Sequence, residues 1–241
     1  TTSTSSKIVL TTGATAGIGR TTALHLAALG QHVSAPGRRA DQLAALRAEA
    51  LAKQVPGRLD VTALDVTSLS SIDAAVVEVN RLTAGHGVDV LVNNAGFGLL
   101  GPMSEISDAE LRRQFDTNVF GLMSVTRAFL PAMRARRAGR IINVSSIGGR
   151  ITLPYFGAYN GTKYAVESFP DALRYELRPF GVDVVLIEPG AIKTSFGDTA
   201  MSSIGAYADT VYGPAMDKAE QMRPRMESTA GSPETIARGL A

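Results

Sequence analysis

Cysteine and tryptophan are absent from this 241-residue chain. Without cysteine, disulfides, thiolate nucleophiles and Cys-based metal sites are excluded. Histidine is scarce. His25, His32 and His86 are the only three, with neither HExxH nor HxH spacing, so each reads as a solvated or half-buried side chain and no metal is expected. No apolar run approaches the ~20 residues of a spanning helix. The start, TTSTSSKIVL, lacks the basic and apolar regions of a signal peptide, so the expectation is a cytoplasmic protein with no membrane partner. An excess of charge is also missing. Twenty-four Lys and Arg against 22 Asp and Glu leave +2, which gives no ground for nucleic-acid binding. The basic run Arg134, Arg136, Arg137 and Arg140 reads as a solvated helix C-terminus. What is present is 45% hydrophobic and 19% charged, the composition of an ordinary globular domain. At roughly 150 residues per domain the length fits one domain better than two.

Short β-branched and apolar runs alternate with segments of helical periodicity. Ile8 to Leu10 is followed by the glycine-rich TGATAGIG and a helical stretch that Gly30 ends. HVSA, the helical Asp41 to Leu51, LDVTAL, SSIDAAVVEVNRL and VDVLVNNAG continue the alternation. One long helical segment over 107–136, the strand RIINVSS, a helix over 158–177 and the strand VDVVLIEPG complete six strands. Continuously apolar strands such as VLV and VVLI suit a parallel sheet covered on both faces. The fold class is α/β, a doubly wound parallel sheet with helices on both faces. Residues 191–227 fall outside the alternation and read as a lid over a site rather than a second domain. The chain starts without Met and stops at Ala241 in a helix begun by SPET, so both ends read as trimmed.

Gly13, Gly17 and Gly19 form a GxxxGxG turn between the first strand and helix. Such a turn lets backbone approach a pyrophosphate, and the free N–H groups of the following helix attract the anion. A purely structural loop is the alternative. At the end of the second strand stand Pro36, Gly37, Arg38 and Arg39, with no acid before Asp41. An acid there would bind ribose hydroxyls, whereas arginine accommodates a 2′-phosphate. The expected cofactor is therefore NADP(H), with Arg38 the first clamp and Arg39 the second. Two solvated arginines would also explain the pair, although cations are poorly placed beside a helix N-terminus.

Tyr159 and Lys163 lie four residues apart in YNGTK, so a helix puts them on one face. The preceding strand delivers Ser145 and Ser146 to the carboxyl edge of the sheet, where open α/β folds bind ligands. Here the chain resembles the short-chain dehydrogenase/reductase family, in its single-domain branch with TGxxxGxG and YxxxK motifs. The matching motifs are TGATAGIG, LDV at 64–66, NNAG at 93–96, Asn118 in FDTNVFG, Ser146, the Tyr159–Lys163 pair, and Pro189, Gly190 and Thr194 in PGxxxT. The resemblance implies a Rossmann fold and a cofactor site of Gly13, Thr15, Gly17, Ile18, Gly19, Arg38, Arg39, Asp65, Val66, Asn94, Ala95 and Gly96. It adds Tyr159, Lys163, Pro189, Gly190, Ile192 and Thr194. It also implies catalytic roles for Ser146, Tyr159, Lys163 and Asn118: proton donation by Tyr159, a lowered phenol pKa and ribose contacts from Lys163, substrate-oxygen bonding by Ser146, and a water relay at Asn118. A structural Asn118, and Ser145 in place of Ser146, stay open. A homo-dimer or homo-tetramer is implied as well. The family's seventh strand has no counterpart before Ala241.

The expected substrate wall is Ser146, Ile147, Ile151, Leu153, Phe156 and Tyr159, with Leu100, Phe196 and Met201 beside it. Its apolar character favours a hydrophobic ketone or secondary alcohol over a sugar or charged acid, and around YFGAYNGTKYAVES and LRYELRPFGV the chain resembles steroid and retinol dehydrogenases of the family, which implies a steroid- or retinoid-like substrate. Several of these side chains would serve equally to pack the lid. The function expected is an NADPH-dependent carbonyl reductase or NADP+-dependent alcohol dehydrogenase; the alternative is a non-catalytic NADP(H)-binding sensor. A Ser/His/Asp hydrolase would need a GxSxG elbow and a placed histidine, and the sequence has neither.

Overall fold

In the computed structural model, which describes residues 6–241, the apolar runs form β1 (Ile8–Thr11), β2 (His32–Gly37), β3 (Arg58–Ala63), β4 (Val90–Asn93), β5 (Gly139–Val144) and β6 (Val182–Ile187). All pair in parallel, in the order β3-β2-β1-β4-β5-β6. The chain order therefore reverses between β1 and β4, which opens a crevice at the carboxyl ends of these strands. The intervening helices are α1 (Gly17–Ala28), α2 (Ala40–Ala52), α3 (Leu69–Leu82), α4 (Asp108–Phe115), α5 (Leu122–Arg136) and α6 (Gly157–Leu177). Beyond β6 come α7 (Phe196–Met201), α8 (Gly213–Ser228) and α9 (Pro233–Gly239).

Alternate strand residues feed two cores. Leu10, Leu91 and Ile141 join Ile72 and Val79 of α3, Val125, Phe129 and Met133 of α5, and Leu173 of α6 on one face. Val9, Val92 and Ile142 join Ala23 and Ala27 of α1, Leu46 of α2 and Leu240 after α9 on the other. Full burial of each large aliphatic side chain is worth about 1.5–3 kcal/mol, which is why the central strands β1 and β4 are mostly apolar. Local signals set the helix limits. Ser68 caps α3, Ser107 and Glu110 form a reciprocal capping box at α4, and Gly30, at φ +85°, follows the end of α1.

The 107–136 segment departs from the single helix expected. It is α4, then a π-helical turn over Asp116–Gly121, then α5. The turn lies where the helix meets the loop after β3: a Cβ on Gly121 would stand 2.8 Å from Val66 Cγ2 and 2.9 Å from its carbonyl oxygen. One extra residue in the turn changes the helix phase at Asn118. The 191–227 stretch holds α7, a 3-10 turn (Ile204–Tyr207) and most of α8. Ile204, Tyr207 and Met216 pack on Leu100 as a small separate core. Among the described residues no helix is long and apolar enough to cross a membrane.

Candidate active site

A cavity of about 1940 Å3 runs along the carboxyl edge of the sheet. All the residues expected to bind cofactor or substrate line it, except Gly19 and Ile151, and Asn118 also stands outside it. The glycine turn forms one end. Gly13 has φ +67° and Gly17 φ +52°, left-handed conformations that cost a side chain energy. Gly19 is excluded from the wall because it is pressed inward, where a Cβ would lie 2.6 Å from the Gly13 carbonyl oxygen and 2.4 Å from Asn94 Nδ2. Asn94 in turn donates from Nδ2 to the Thr12 carbonyl at 2.9 Å, and the Thr12 hydroxyl accepts from the amides of Asn94 and Ala95, each at 2.9 Å. The loops after β1 and β4 are thereby fixed to each other. Thr12 was not singled out in the sequence; its buried hydroxyl supplies the link.

Arg38 and Arg39 follow β2, both exposed and, among the described residues, in no ion pair. Across the wall, burial disfavours the charge of Asp65, but the Thr67 hydroxyl and amide, with the charge of Arg38, hold its carboxyl below the ordinary value. Its Oδ1 accepts from both Thr67 groups, at 2.7 and 2.9 Å. This end of the cleft is thus cationic on one side and carries an ionised carboxylate on the other.

Ser146, Tyr159 and Lys163 meet at the other end. The Ser146 hydroxyl accepts from the Gly148 amide at 3.0 Å. Burial pushes the Tyr159 phenol up to about 12, against a smaller downward pull from the Ser146 hydroxyl. The sequence reading anticipated a phenol lowered by Lys163, and here desolvation dominates. Lys163 is itself buried; its Nζ donates to the Val144 carbonyl at 2.8 Å and stands 5.7 Å from the centre of the Tyr159 ring. Burial brings its pKa down to about 8, opposed by the charge of Glu167. The Ser145 hydroxyl also lines the cavity, buried and without a hydrogen-bond partner.

Asn118 lies in the π turn, 2% exposed. Its amide donates to the Phe97 carbonyl at 2.9 Å and to the Thr162 hydroxyl at 3.2 Å, and its Oδ1 accepts from the Phe97 amide at 3.1 Å. A relay through this side chain would have to break those bonds, which hold the loop after β4 against α6. Ile151, expected in the substrate wall, is 47% exposed and outside the cavity. It lies just beyond the 3-10 turn Ile147–Gly149 that follows β5, its amide bonded to the Ile147 carbonyl at 3.0 Å. Leu153 and Phe156 stay in the wall, and Phe156 and Phe196 stand edge-on to the Tyr159 ring at 6.3 and 5.3 Å.

Two further residues shape this end. Asn160, inside the YNGTK segment, is 2% exposed and donates to the carbonyls of Gly148 (2.7 Å) and Ile151 (3.2 Å) while accepting from the Leu153 amide (3.2 Å). It ties the loop that carries Ser146 to the helix that carries Tyr159. Its signal was a polar residue inside an otherwise buried helical turn. Tyr155, at φ +64°, lines the cavity and stands edge-on to Tyr212 at 6.4 Å.

A nucleotide-type sheet with a serine, a tyrosine and a lysine at its carboxyl edge defines an oxidoreductase class, and comparison with known proteins gives the family. Its profile, described as short chain dehydrogenase, matches residues 7–203. The chain belongs to that family of oxidoreductases. It is 34% identical over 236 residues to an NADPH-dependent 3-dehydrocapnine reductase of Ornithobacterium rhinotracheale, covering 93% of this chain and 82% of that one. A short-chain dehydrogenase from Streptomyces avermitilis superposes with a TM-score of 0.79 at 35% identity, over 99% of this chain and 83% of the other. An actinorhodin polyketide ketoreductase variant solved with NADPH gives 0.82 at 31% identity, over 98% and 88%.

Proposed function

We propose that this chain is an NADPH-dependent carbonyl reductase, or in the reverse direction an NADP+-dependent alcohol dehydrogenase, acting on a mostly apolar ketone or secondary alcohol. One observation carries this reading: a single continuous cleft has at one end two guanidinium groups that form no ion pair among the described residues, and at the other Ser146 with the buried Tyr159 and Lys163. The chain fits such a cofactor. The glycine turn presents backbone where a Cβ would collide, Arg38 and Arg39 suit a 2′-phosphate, and the orphaned Ser145 hydroxyl is a buried polar atom that a bound group would satisfy. The cavity, about 1940 Å3, exceeds the ~300–1,000 Å3 of an ordinary small-molecule site, leaving room for substrate beside a dinucleotide. Gly13, Thr15, Gly17 and Ile18 would hold the pyrophosphate, Asp65 and Val66 the adenine side, and Pro189, Gly190, Ile192 and Thr194 the carboxamide. The names of a 34% identical relative and a 31% identical structure, both with NADPH, support the same cofactor.

The nicotinamide, when bound, supplies or takes up the hydride. Ser146 and Tyr159 hold the substrate oxygen, and Tyr159 gives it a proton as negative charge develops there. A phenol near 12 is fully protonated at neutral pH, as a donor must be. The phenolate left behind is unfavourable in this dry site, and the Lys163 ammonium, 5.7 Å from the ring centre, offsets that cost by attraction in a low dielectric. Phe156 and Phe196, edge-on to the Tyr159 ring, keep its surroundings apolar.

The test is NADPH oxidation against a panel of apolar ketones and aldehydes, with Tyr159→Phe as control. Turnover is expected, and loss of the one hydroxyl should lower kcat by about 100- to 10,000-fold with NADPH affinity kept. NADPH binding without turnover across the panel would favour the sensor reading instead.

A further inference from the structure

One buried charge near the site has no part in the chemistry above. Glu167 lies one helical turn beyond Lys163, which lies one turn beyond Tyr159, so the three form a single stripe along α6. Glu167 is 7% exposed, and neither carboxylate oxygen receives a hydrogen bond. The turn after β5 closes over it: a Cβ on Gly149 would stand 2.7 Å from Glu167 Cγ and 2.9 Å from Oε1. Its ion-pair partner is Arg150, whose Nη2 stands 2.9 Å from Oε2 but directs its hydrogen bonds at Glu188, at 2.9 and 3.3 Å. Glu188 immediately precedes Pro189 and Gly190.

A buried carboxylate whose ion-pair partner is a largely exposed cation, and which faces a second carboxyl group, is costly by itself. Its negative potential falls on the nearest desolvated cation of the same helix, the Lys163 ammonium. We propose that Glu167 is a positioning residue for the reaction: it keeps Lys163 in the ammonium form at neutral pH, and Arg150 ties it to Glu188 at the start of the Pro189–Gly190 loop. The charged groups facing Glu167 are Lys163 from α6, Arg150 from the turn after β5, and Glu188 from the end of β6. Asp171, a turn further along α6, acts on Arg150 and pairs with Arg174. The Arg150 carbonyl is itself held by the Tyr164 hydroxyl at 2.9 Å. Burial lowers the Lys163 pKa, and Glu167 is the charge that opposes this.

The kinetic part of the proposal rests on the reductase reading, so the primary test does not use turnover. Lysine labelled with 13C at Cε reports the Lys163 titration by NMR, its signal assigned by its disappearance in Lys163→Arg. Removing the carboxylate charge destabilises the ammonium, so Glu167→Gln should lower the Lys163 midpoint by about one pH unit, and Glu167→Asp should restore it. The alkaline limb of kcat for reduction should move down by the same amount, with the KM for NADPH little changed. Arg150→Met, at a side chain 58% exposed, removes a competing cation and should move the midpoint the other way, which keeps the test open if Glu167→Gln does not fold. A Lys163 midpoint unmoved by Glu167→Gln, or unmoved or lowered by Arg150→Met, overturns the role of Glu167 whether or not the chain turns over. A wild-type chain with the predicted shifts but no turnover overturns the reductase reading instead.

Discussion

Replacing Asn160 by alanine separates a bracing role from a bystander role for this side chain. Three hydrogen bonds are lost, and they are not equal. The acceptor at 2.7 Å is the carbonyl of Gly148, a buried residue, whereas Ile151 and Leu153 are exposed. Water can replace the latter two, at about 0.5–1.5 kcal/mol each, but the Gly148 carbonyl would be left unpaired at about 1–3 kcal/mol. The sum is roughly 2–6 kcal/mol, and at about 2–4 °C per kcal/mol for a domain of this size thermal unfolding should fall by roughly 4 °C or more. The same bonds hold the loop of Ser146 to the helix of Tyr159, so kcat for reduction should fall about tenfold or further, as expected for a misplaced pair of catalytic groups. NADPH affinity should change little, because the phosphate-binding end of the cleft is remote from this loop. Differential scanning calorimetry and steady-state kinetics on the same preparation read both effects. An unfolding temperature within a degree or two of wild type, with unchanged kcat, would refute the reasoning.

At the other end of the cleft, Arg38→Ala with Arg39→Ala should raise the KM for NADPH by about 10- to 100-fold, the worth of a charge-assisted bond to phosphate, and leave that for NADH nearly unchanged; equal effects on both would remove the 2′-phosphate assignment. Gly19→Ala sets a Cβ 2.6 Å from a backbone oxygen that cannot swing away, so a loss of about 1–3 kcal/mol is expected in urea unfolding, together with weaker binding of NADPH and NADH alike. A stable Gly19→Ala variant with normal cofactor affinity would show that the turn has slack.

What the sequence made legible follows from where the physics is local. Strand positions were readable because residues buried on both faces of a parallel sheet must be apolar, and VLV and VVLI leave no other option. Glycine turns and the end of α1 at Gly30 were readable because only glycine adopts those conformations cheaply. The π turn at Asp116–Gly121 was not readable, since one added residue barely disturbs helical periodicity; it lies where Gly121 packs against Val66, 55 positions away in the chain. The same limit applies at the site. The spacing of Tyr159 and Lys163 was plain, but the direction in which Tyr159 titrates depends on how dry its surroundings are, and part of that is set by Phe196, which arrives from beyond β6 to stand edge-on to the ring. Asn160 shows the converse case. It sits next to Tyr159 in the chain, yet about 100° round the helix it faces a loop from β5, so its neighbours in space and in sequence carry different information. Ile151 was placed in the wall because it follows Ser146 closely, but the five-residue separation spans a tight turn, and the side chain stands outside the cavity. Proximity in sequence is therefore a good guide to which helix face a group occupies and a poor guide to which cavity it lines.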